Sequence, residues 1–401
     1  MSSLLVLVAV ALFASFFMSF TIGANSNSAP IAPAVGANAL STLRGALLVG
    51  VVAGVGAISQ GGNISETIGH GLVTGVTITP VAATATLLTA ATLITVGNSR
   101  GYPIPSAFTV TGAAIGAGVA LGGGLAVQEY AKILGFWAAI PIVESVIAYG
   151  LALMLFKDRF PDTVTIPFLG AAVGYALANI HLTFLPDGKG GSASVASYIT
   201  HWLLGAPGAP GSEGGLGVVV SVIIALAALG ITYWQLRKDL TTGINRMLVF
   251  LALVVVFTSG GSQVGLATGP LEPIFESSLG LASIYLLIFG GFGMLLGGWI
   301  RAPRLIQAVS REYASLNPKK SIAAFIPAFL VAQVAIAFGI PISFNKVMIS
   351  SIVGAGMAGG SSATGGVSMS KTGYTVGAWV ASIFGGAVGS FLLYHVLASI
   401  I

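Results

Sequence analysis

The stretch TIGANSNSAPIAPAVGANAL, residues 21–40, places four consecutive polar residues directly behind an apolar run that is long enough to cross a membrane. A second interruption, VFTSGGSQVGLATGPLEP at residues 256–273, also follows an apolar run. The glycines and prolines in both stretches predict a broken helix, and a break inside lipid frees backbone groups that must be satisfied. A bound anion can satisfy them, because helix N-termini present N–H donors. Both stretches are therefore predicted binding elements, with an ordinary solvent loop as the alternative.

The composition of the chain predicts a membrane protein. Of 401 residues, 55% are hydrophobic and only 7% are charged, whereas ordinary soluble domains are about 25% charged. So few charges exclude a soluble enzyme, a disordered chain and a nucleic-acid binder. There is no cysteine to ligate zinc or iron–sulfur clusters, and the four histidines lack a metal-binding spacing. Because small residues such as the 56 glycines allow close helix packing in lipid, we predict an all-α polytopic membrane protein without metal or cofactor.

Twelve apolar segments are predicted to cross the membrane, some of them as broken or re-entrant helices. They span about 3–22, 41–60, 78–97, 104–124, 133–156, 163–183, 216–235, 247–265, 280–300, 322–340, 347–363 and 375–400. Counting twelve crossings puts thirteen of the 16 basic residues on one face. Since cytoplasmic loops carry the excess of lysine and arginine, that face is predicted to be cytoplasmic. Both termini are then external to the cell membrane.

Two pairs of segments resemble each other within the chain. YPIPSAFTVTGAAIGAG at 102–118 is similar to IPISFNKVMISSIVGAG at 340–356, and the segments that begin at Trp137 and Trp379 form the second pair. The copies lie seven predicted crossings apart, so they must have opposite orientations in the membrane. Such inverted repeats are typical of secondary transporters, although a duplication kept only for packing is the alternative.

The repeat divides the chain into three parts. Five helices in residues 1–156 form the first half, and five in residues 247–401 form the second half. Residues 157–246 contribute two bridging helices and an external loop at 184–215, which is rich in glycine, proline and serine. The predicted fold is thus a 5+5 inverted repeat of about twelve transmembrane helices.

The chain resembles the inorganic phosphate transporter (PiT) family of permeases. That family carries a repeated GAND-type signature, in forms close to GANDVANAFGTSVGS and FSHGANDVANAIGPL. Here GANSNSAPIAPAVGANAL at 23–40 is similar to the first form, and FTSGGSQVGLATGPL at 257–271 is similar to the second. PIPSAF at 103–108 and PISFNK at 341–346 are similar to the PISTTH-like stretches of the family. The resemblance covers nearly the whole chain. It implies a phosphate permease that works by alternating access with cation symport, and it makes a homodimer possible.

This chain departs from the family at the signature residues themselves. The family's signature aspartate, tied to cation and phosphate binding, corresponds to Ser26 in the first copy and to Gln263 in the second. The signature asparagine is retained as Asn25 and replaced by Ser262. The chain therefore resembles a divergent branch that lacks both signature aspartates, so sodium coupling through two carboxylates is not implied.

The predicted substrate site combines polar residues of both signatures and both proline stretches. These residues are Asn25, Ser26, Ser28, Ser106, Ser262, Gln263, Ser343, Asn345 and Lys346. Gly23 and Gly260 are predicted to permit a close approach of the backbone. By resemblance Lys346 faces the substrate as a point charge for an oxyanion; the alternative is a lysine that snorkels to the membrane surface.

Glu144 is the predicted coupling residue. It lies among apolar neighbours within a membrane segment, where a carboxylate is usually paired, protonated or functional. It is a candidate for Na⁺ or H⁺ coupling in place of the missing aspartates, with a carboxylate that faces a water-filled vestibule as the alternative.

Other functions are weighed against phosphate transport. A permease for sulfate or another solute on the same scaffold is the nearest alternative. An intramembrane enzyme would need a nucleophile with a base or a metal cluster, and the sequence shows neither. A passive channel would usually be a symmetric oligomer with rings of charges or carbonyls, which broken inverted repeats do not resemble.

Overall fold

The computed structural model describes residues 2–99, 104–156, 161–187, 192–204, 215–312, 316–358 and 369–400. Within them the protein is almost entirely helical. In chain order the helices are α1 Ser2–Ala24, α2 Ala32–Gly36, α3 Thr42–Gln60, α4 Gly62–Glu66, α5 Pro80–Ser99, α6 Ser106–Ala120, α7 Val127–Phe156, α8 Asp162–Ala178, α9 Val195–Leu204, α10 Gly215–Lys238, α11 Leu240–Thr268, α12 Glu272–Ile274, α13 Ile284–Glu312, α14 Pro318–Ala337, α15 Phe344–Met357 and α16 Met369–Ile400.

Two short antiparallel ribbons join helix ends. In the first ribbon β1 (Val73–Thr74) pairs with β2 (Gly124–Leu125). In the second, β3 (His181–Pro186) pairs with β4 (Ser192–Ser194). The second ribbon and α9 lie mostly in the region predicted as a flexible loop at 184–215, so the described part of that loop is ordered. Thr183 explains part of this order, because its hydroxyl donates to the Ser59 carbonyl at the end of α3 over 2.8 Å.

Each of the twelve predicted membrane segments coincides with a helix. Among the described residues, nine helical segments are long and apolar enough to cross a membrane. The helices α6, α8 and α15 contain only 15, 17 and 14 residues, whereas a full crossing takes about 20. Nine spans are thus established by length and composition, and the count of twelve crossings stays a prediction.

The distribution of polar and apolar side chains is that of a protein in lipid. Large apolar residues of the outer helices are exposed, as at Ile223 and Leu226 on α10 and Phe384 on α16. Several serines and asparagines, and Gln263, are instead fully buried between the inner helices. An exposed apolar surface on this scale would aggregate in water and is stable against lipid tails.

The first predicted interruption lies where the sequence places it. Helix α1 ends at Ala24, residues 25–28 form turns, and a 3₁₀ turn at Ala29–Ile31 leads into α2. Pro30 and Pro33 follow the break and cannot donate backbone hydrogen bonds to a continuing α1. The polar residues 25–28 are thereby held at a broken helix in the interior of the protein.

The second predicted interruption is wrong in its position. Helix α11 continues without a break from Leu240 to Thr268, through the glycines at 260, 261 and 265, and the chain leaves the α-helix only at Gly269. These glycines serve packing instead. A Cβ at Gly260 would overlap the Ala53 backbone of α3, and one at Gly56 would overlap the Phe257 backbone of α11. Small residues of this kind let two membrane helices approach closely.

Helix packing follows one pattern in both halves of the chain. In the first half α5 packs against α1 and α6, and in the second half α14 packs against α11 and α15. Across the halves α1 packs against α13, and α11 packs against α3. Likewise α7 packs against α15, and α16 packs against α6. The elements that carry the predicted site residues, α1, α6, α11 and α15, therefore come together at the centre of this arrangement.

Several predicted features fall on residues outside the described ranges. They are the basic residues Arg100, Lys157, Arg159 and Lys189, the start of the first proline stretch at 102–103, and the end of the predicted segment 347–363.

Candidate functional site

The turn after α1, the first turns of α6 and α15 and the C-terminal turns of α11 meet in the protein interior. The uncharged residues predicted for the site are all buried there: Asn25, Ser26, Ser28, Ser106, Ser262, Gln263, Ser343 and Asn345. We call the hydrogen-bonded group formed by Asn25, Ser26, Ser106, Gln263 and Asn345 the central network. It joins residues that lie more than 300 positions apart in the chain.

One branch of the central network is a pair of asparagines. Asn25 donates through Nδ2 to the Ile104 carbonyl over 2.9 Å. Asn345 donates through Nδ2 to the same carbonyl over 3.1 Å and to Asn25 Oδ1 over 2.8 Å. The Ile104 carbonyl precedes α6, so this branch links the turn after α1 to the start of both α6 and α15.

The other branch runs through Ser26 and Gln263, the two positions that the resemblance matches to the family's aspartates. The hydroxyls of Ser26 and Ser106 lie 2.9 Å apart, and Ser106 donates to Gln263 Oε1 over 2.5 Å. Gln263 Nε2 donates in turn to the Ile342 carbonyl over 2.6 Å. Neutral side chains thus hold these two positions together.

Two helices begin at the central network without a side-chain cap. The first helix-type hydrogen bonds of α6 and α15 come from the N–H groups of Thr109 and Val347. The N–H groups of 106–108 and 344–346 therefore have no partner within their helices. Three other helices, α3, α11 and α14, have such a cap: Asn317, for example, accepts a hydrogen bond from the Lys320 N–H at the start of α14. Uncapped N-termini present a partial positive charge and free donors, which is the arrangement that binds anions.

Three buried polar atoms around these helix starts have no hydrogen-bond partner. They are Ser343 Oγ, Asn345 Oδ1 and Asn27 Nδ2. Ser343 occupies the N-cap position of α15, and its hydroxyl nevertheless does not bond to the helix. Buried polar groups are almost always paired, so unpaired ones at a helix N-terminus are available to a ligand.

Two of the predicted site residues have local roles. Ser28 donates to the carbonyls of Gly23 and Ala24 and so closes the end of α1. Ser262 donates to the Ser259 carbonyl one turn back in α11 and accepts from Gln263 Nε2. Both lie beside the central network and support its members.

The predicted close backbone approach at Gly23 and Gly260 is found between helices. A Cβ at Gly23 would overlap the Met294 backbone of α13, and Gly260 faces the backbone of α3. The two glycines therefore set the spacing of the helices around the site.

Sequence reasoning left out two groups that belong to the site. Asn27 Oδ1 accepts from the Ser259 hydroxyl over 2.7 Å and ties the turn after α1 to α11. The carbonyls of Ile104 and Ile342 accept the amide donors, and a main-chain acceptor has no side-chain signal. The only sequence hint was that each isoleucine follows a proline in the two similar stretches.

Lys346 lies beside the central network and points away from it. Its ammonium donates to the Trp137 carbonyl and lies 4.7 Å from the ring centre of Phe108 and 5.7 Å from that of Trp379. The ring of Phe108 stacks on Trp137 at 3.9 Å. Aromatic faces stabilise a desolvated cation, so Lys346 is held as a buried positive charge next to the first turn of α15.

Glu144 is fully buried on α7, two helical turns beyond Trp137. Its Oε2 accepts from the Ser351 hydroxyl of α15 over 3.0 Å, and its Oε1 has no partner. The charges of Glu144 and Lys346 are close enough to attract each other, yet among the described residues they form no ion pair within 4.0 Å. The predicted coupling residue thus lies outside the central network, in the α7–α15 interface.

Comparisons with known proteins agree on one family. The family model described as "Phosphate transporter family" matches residues 22–390. A protein of Haemophilus influenzae named "Putative phosphate permease" is 21% identical, with 96% of this chain and 95% of that protein aligned. A similarly named protein of Thermococcus kodakarensis is 23% identical over 88% of both chains.

A solved structure has the same fold. The structure titled "The sodium-dependent phosphate transporter" matches with a TM-score of 0.81 and 21% identity, over 99% of this chain and 100% of that one. Family and fold are those of a membrane transporter and not of an enzyme. Since the family model covers nearly the whole of a polytopic chain with a broken first helix and a buried polar centre, this protein belongs to the phosphate transporter family.

Proposed function

We propose that this protein is a secondary transporter of inorganic phosphate that binds its substrate at the N-termini of α6 and α15. The observation that carries the proposal is the pair of uncapped helix N-termini at a buried, neutral network with unpaired polar atoms. Free N–H donors stabilise an anion there, and the family makes phosphate the first candidate.

Alternating access between two inverted halves is part of this proposal. The two halves make similar contacts, with the donor shifted by one position in the signature: Asn25 Nδ2 donates to the Ile104 carbonyl, and Gln263 Nε2, next to the matching Ser262, donates to the Ile342 carbonyl. A second pair supports it, because Thr21 contacts Thr95 over 3.3 Å and Gln333 donates to Thr258 over 2.9 Å. A site at the junction of such halves can open to either side when one half moves against the other.

Cation coupling is proposed to act at Glu144. Hard cations prefer oxygen ligands, and the amide oxygens of Asn25 and Gln263 already accept hydrogen bonds. The central network holds no carboxylate, so we assign the coupled Na⁺ or H⁺ to Glu144, which is fully buried against Ser351 of α15. Lys346 lies between Glu144 and the network along α15 and gives the two sites an electrostatic link.

The test is counterflow of radiolabelled phosphate in proteoliposomes that contain the purified protein. Phosphate loaded inside should drive saturable uptake of label, which a passive channel would not show. Sodium and pH gradients imposed separately then identify the coupled ion. Protein that is folded and shows no counterflow of phosphate would contradict the proposal, and counterflow of sulfate in its place would favour the sulfate permease.

A homodimer in the bilayer is the proposed assembly. The mass of the purified protein in detergent tests it.

A further inference from the structure

The amide oxygen of Asn345 is unusual among the amide oxygens at the site. The oxygens of Asn25, Asn27 and Gln263 each accept a hydrogen bond from a neighbouring side chain. Asn345 Oδ1 is buried and accepts none. An unpaired acceptor in the protein interior is unfavourable unless a ligand supplies the missing donor.

The orientation of this amide is fixed by its surroundings. Asn345 Nδ2 donates to Asn25 Oδ1 and to the Ile104 carbonyl, and neither of these atoms can donate. Rotating the amide by half a turn would place its oxygen against two acceptors. The Asn25 amide is fixed in the same way, because its own Nδ2 also donates to Ile104. Oδ1 of Asn345 therefore stays an acceptor.

Asn345 is the second residue of α15, at the helix N-terminus proposed to bind the anion. The neighbouring N–H groups and the unpaired Ser343 hydroxyl can donate to any oxyanion. Asn345 Oδ1 can only accept. An anion bound at this N-terminus is therefore surrounded by hydrogen-bond donors and by one buried hydrogen-bond acceptor.

Oxyanions differ in whether they can satisfy that acceptor. Phosphate and arsenate keep at least one O–H group near neutral pH, whereas sulfate and selenate keep none. We propose that Asn345 Oδ1 accepts the O–H of phosphate and so makes this site selective for protonated oxyanions over fully deprotonated ones. The inference rests on the proposed function and adds the residue that sets its substrate class. A site built to pair with a substrate hydroxyl discriminates strongly against an analogue that lacks it, because the buried partner stays unpaired.

The first test changes the anion and leaves the protein intact. Binding of radiolabelled phosphate to the purified parent protein is competed with arsenate, selenate and sulfate at one neutral pH. Arsenate should compete nearly as well as unlabelled phosphate, and selenate and sulfate should compete roughly 10- to 100-fold more weakly. Equal competition by arsenate and selenate, which are similar in size, would overturn the proposal without affecting phosphate transport as such.

The second test changes the acceptor. Asn345→Ala should weaken phosphate binding and abolish the preference for phosphate over sulfate, since sulfate loses nothing when the acceptor is removed. Asn27→Ala is the matched control, because its oxygen is already paired with the Ser259 hydroxyl and its amide forms no hydrogen bond with Asn345. Its loss should weaken both anions by a similar factor. A preference that persists in Asn345→Ala, or that disappears equally in Asn27→Ala, would overturn the assignment.

The two tests separate the inference from the proposed function. If the folded parent binds neither anion, the proposed phosphate site itself is wrong. If the parent binds phosphate without a preference over selenate and sulfate, the site is right and the role of Asn345 is wrong.

Discussion

At the scale of single residues, the central network replaces charge with hydrogen bonds. The two positions where the family carries aspartate are occupied by Ser26 and Gln263, and both take part in one connected network. The amides of Asn25 and Gln263 each use their donor and acceptor on different partners. Such a network is stable only when all its members are present, because any one deletion leaves a buried group unpaired.

Gln263→Leu tests this dependence. The change keeps the side chain similar in size, removes the amide donor to the Ile342 carbonyl and leaves the Ser106 hydroxyl with Ser26 as its remaining partner. We expect the free energy of unfolding to fall by about 1–3 kcal/mol, measured by thermal unfolding in detergent. Gln128→Leu, at an exposed position of α7, is the control and should change little. Equal melting temperatures for the parent and Gln263→Leu would contradict the network.

Glu144→Gln tests the coupling residue. A neutral amide of the same shape can neither bind a cation by charge nor exchange a proton. Accumulation of phosphate driven by a sodium or pH gradient should therefore be lost, while counterflow, which needs no net cation movement, persists. Glu129→Gln is the matched control on α7, where Glu129 pairs with Lys132 at the surface over 3.5 Å. Gradient-driven accumulation that survives in Glu144→Gln would exclude it from coupling.

At the scale of elements, glycine determines how closely the inner helices pack. The contact between α3 and α11 has no room for a Cβ at Gly56 or at Gly260. Gly260→Ala should lower the free energy of unfolding by about 1–3 kcal/mol, because the added methyl group forces the helices apart. Gly230→Ala on α10, where a Cβ meets nothing within 4 Å, should be neutral or stabilising. Thermal unfolding of both variants distinguishes packing from helix propensity, since propensity alone would make both changes favourable.

The elements also show what could be predicted from the sequence. Every apolar segment was found as a helix, because hydropathy over about 20 residues directly reflects the lipid environment. The break after α1 was predictable from Pro30 and Pro33, since proline ends a helix locally. The continuity of α11 was not, because the effect of Gly260 depends on α3, which lies about 200 positions away in the chain.

The side chains that come together in the central network were recognisable in the sequence, and its main-chain acceptors were missed. The polar residues 25–28 and Gln263 were recognisable because polar groups are rare in apolar segments. The carbonyls of Ile104 and Ile342 were not recognisable, since every residue has one. The direction of Lys346 was also beyond sequence reasoning, because the rings of Phe108 and Trp379 that hold it come from other helices.

At the scale of the whole molecule, topology follows from the distribution of basic residues. The natural chain has no cysteine, so single cysteines can report sidedness. Thr241→Cys and Ser278→Cys lie at exposed positions near the two ends of the segment Leu240–Leu279. A membrane-impermeant maleimide should label Ser278→Cys in intact cells and Thr241→Cys only after permeabilisation, because the basic face is predicted to be cytoplasmic. The reverse pattern would invert the predicted topology, and labelling of both in intact cells would contradict a crossing between them.

The central claim is that phosphate binds where α15 begins. The most direct measurement is equilibrium binding of radiolabelled phosphate to purified parent protein and to Ser343→Ala. The Ser343 hydroxyl has no partner in the protein, so its removal should leave the melting temperature unchanged. The account predicts that the parent binds phosphate and that Ser343→Ala binds it roughly tenfold more weakly, the value of one hydrogen bond to an anion. Identical phosphate affinities in two equally stable proteins would contradict a site at this helix N-terminus.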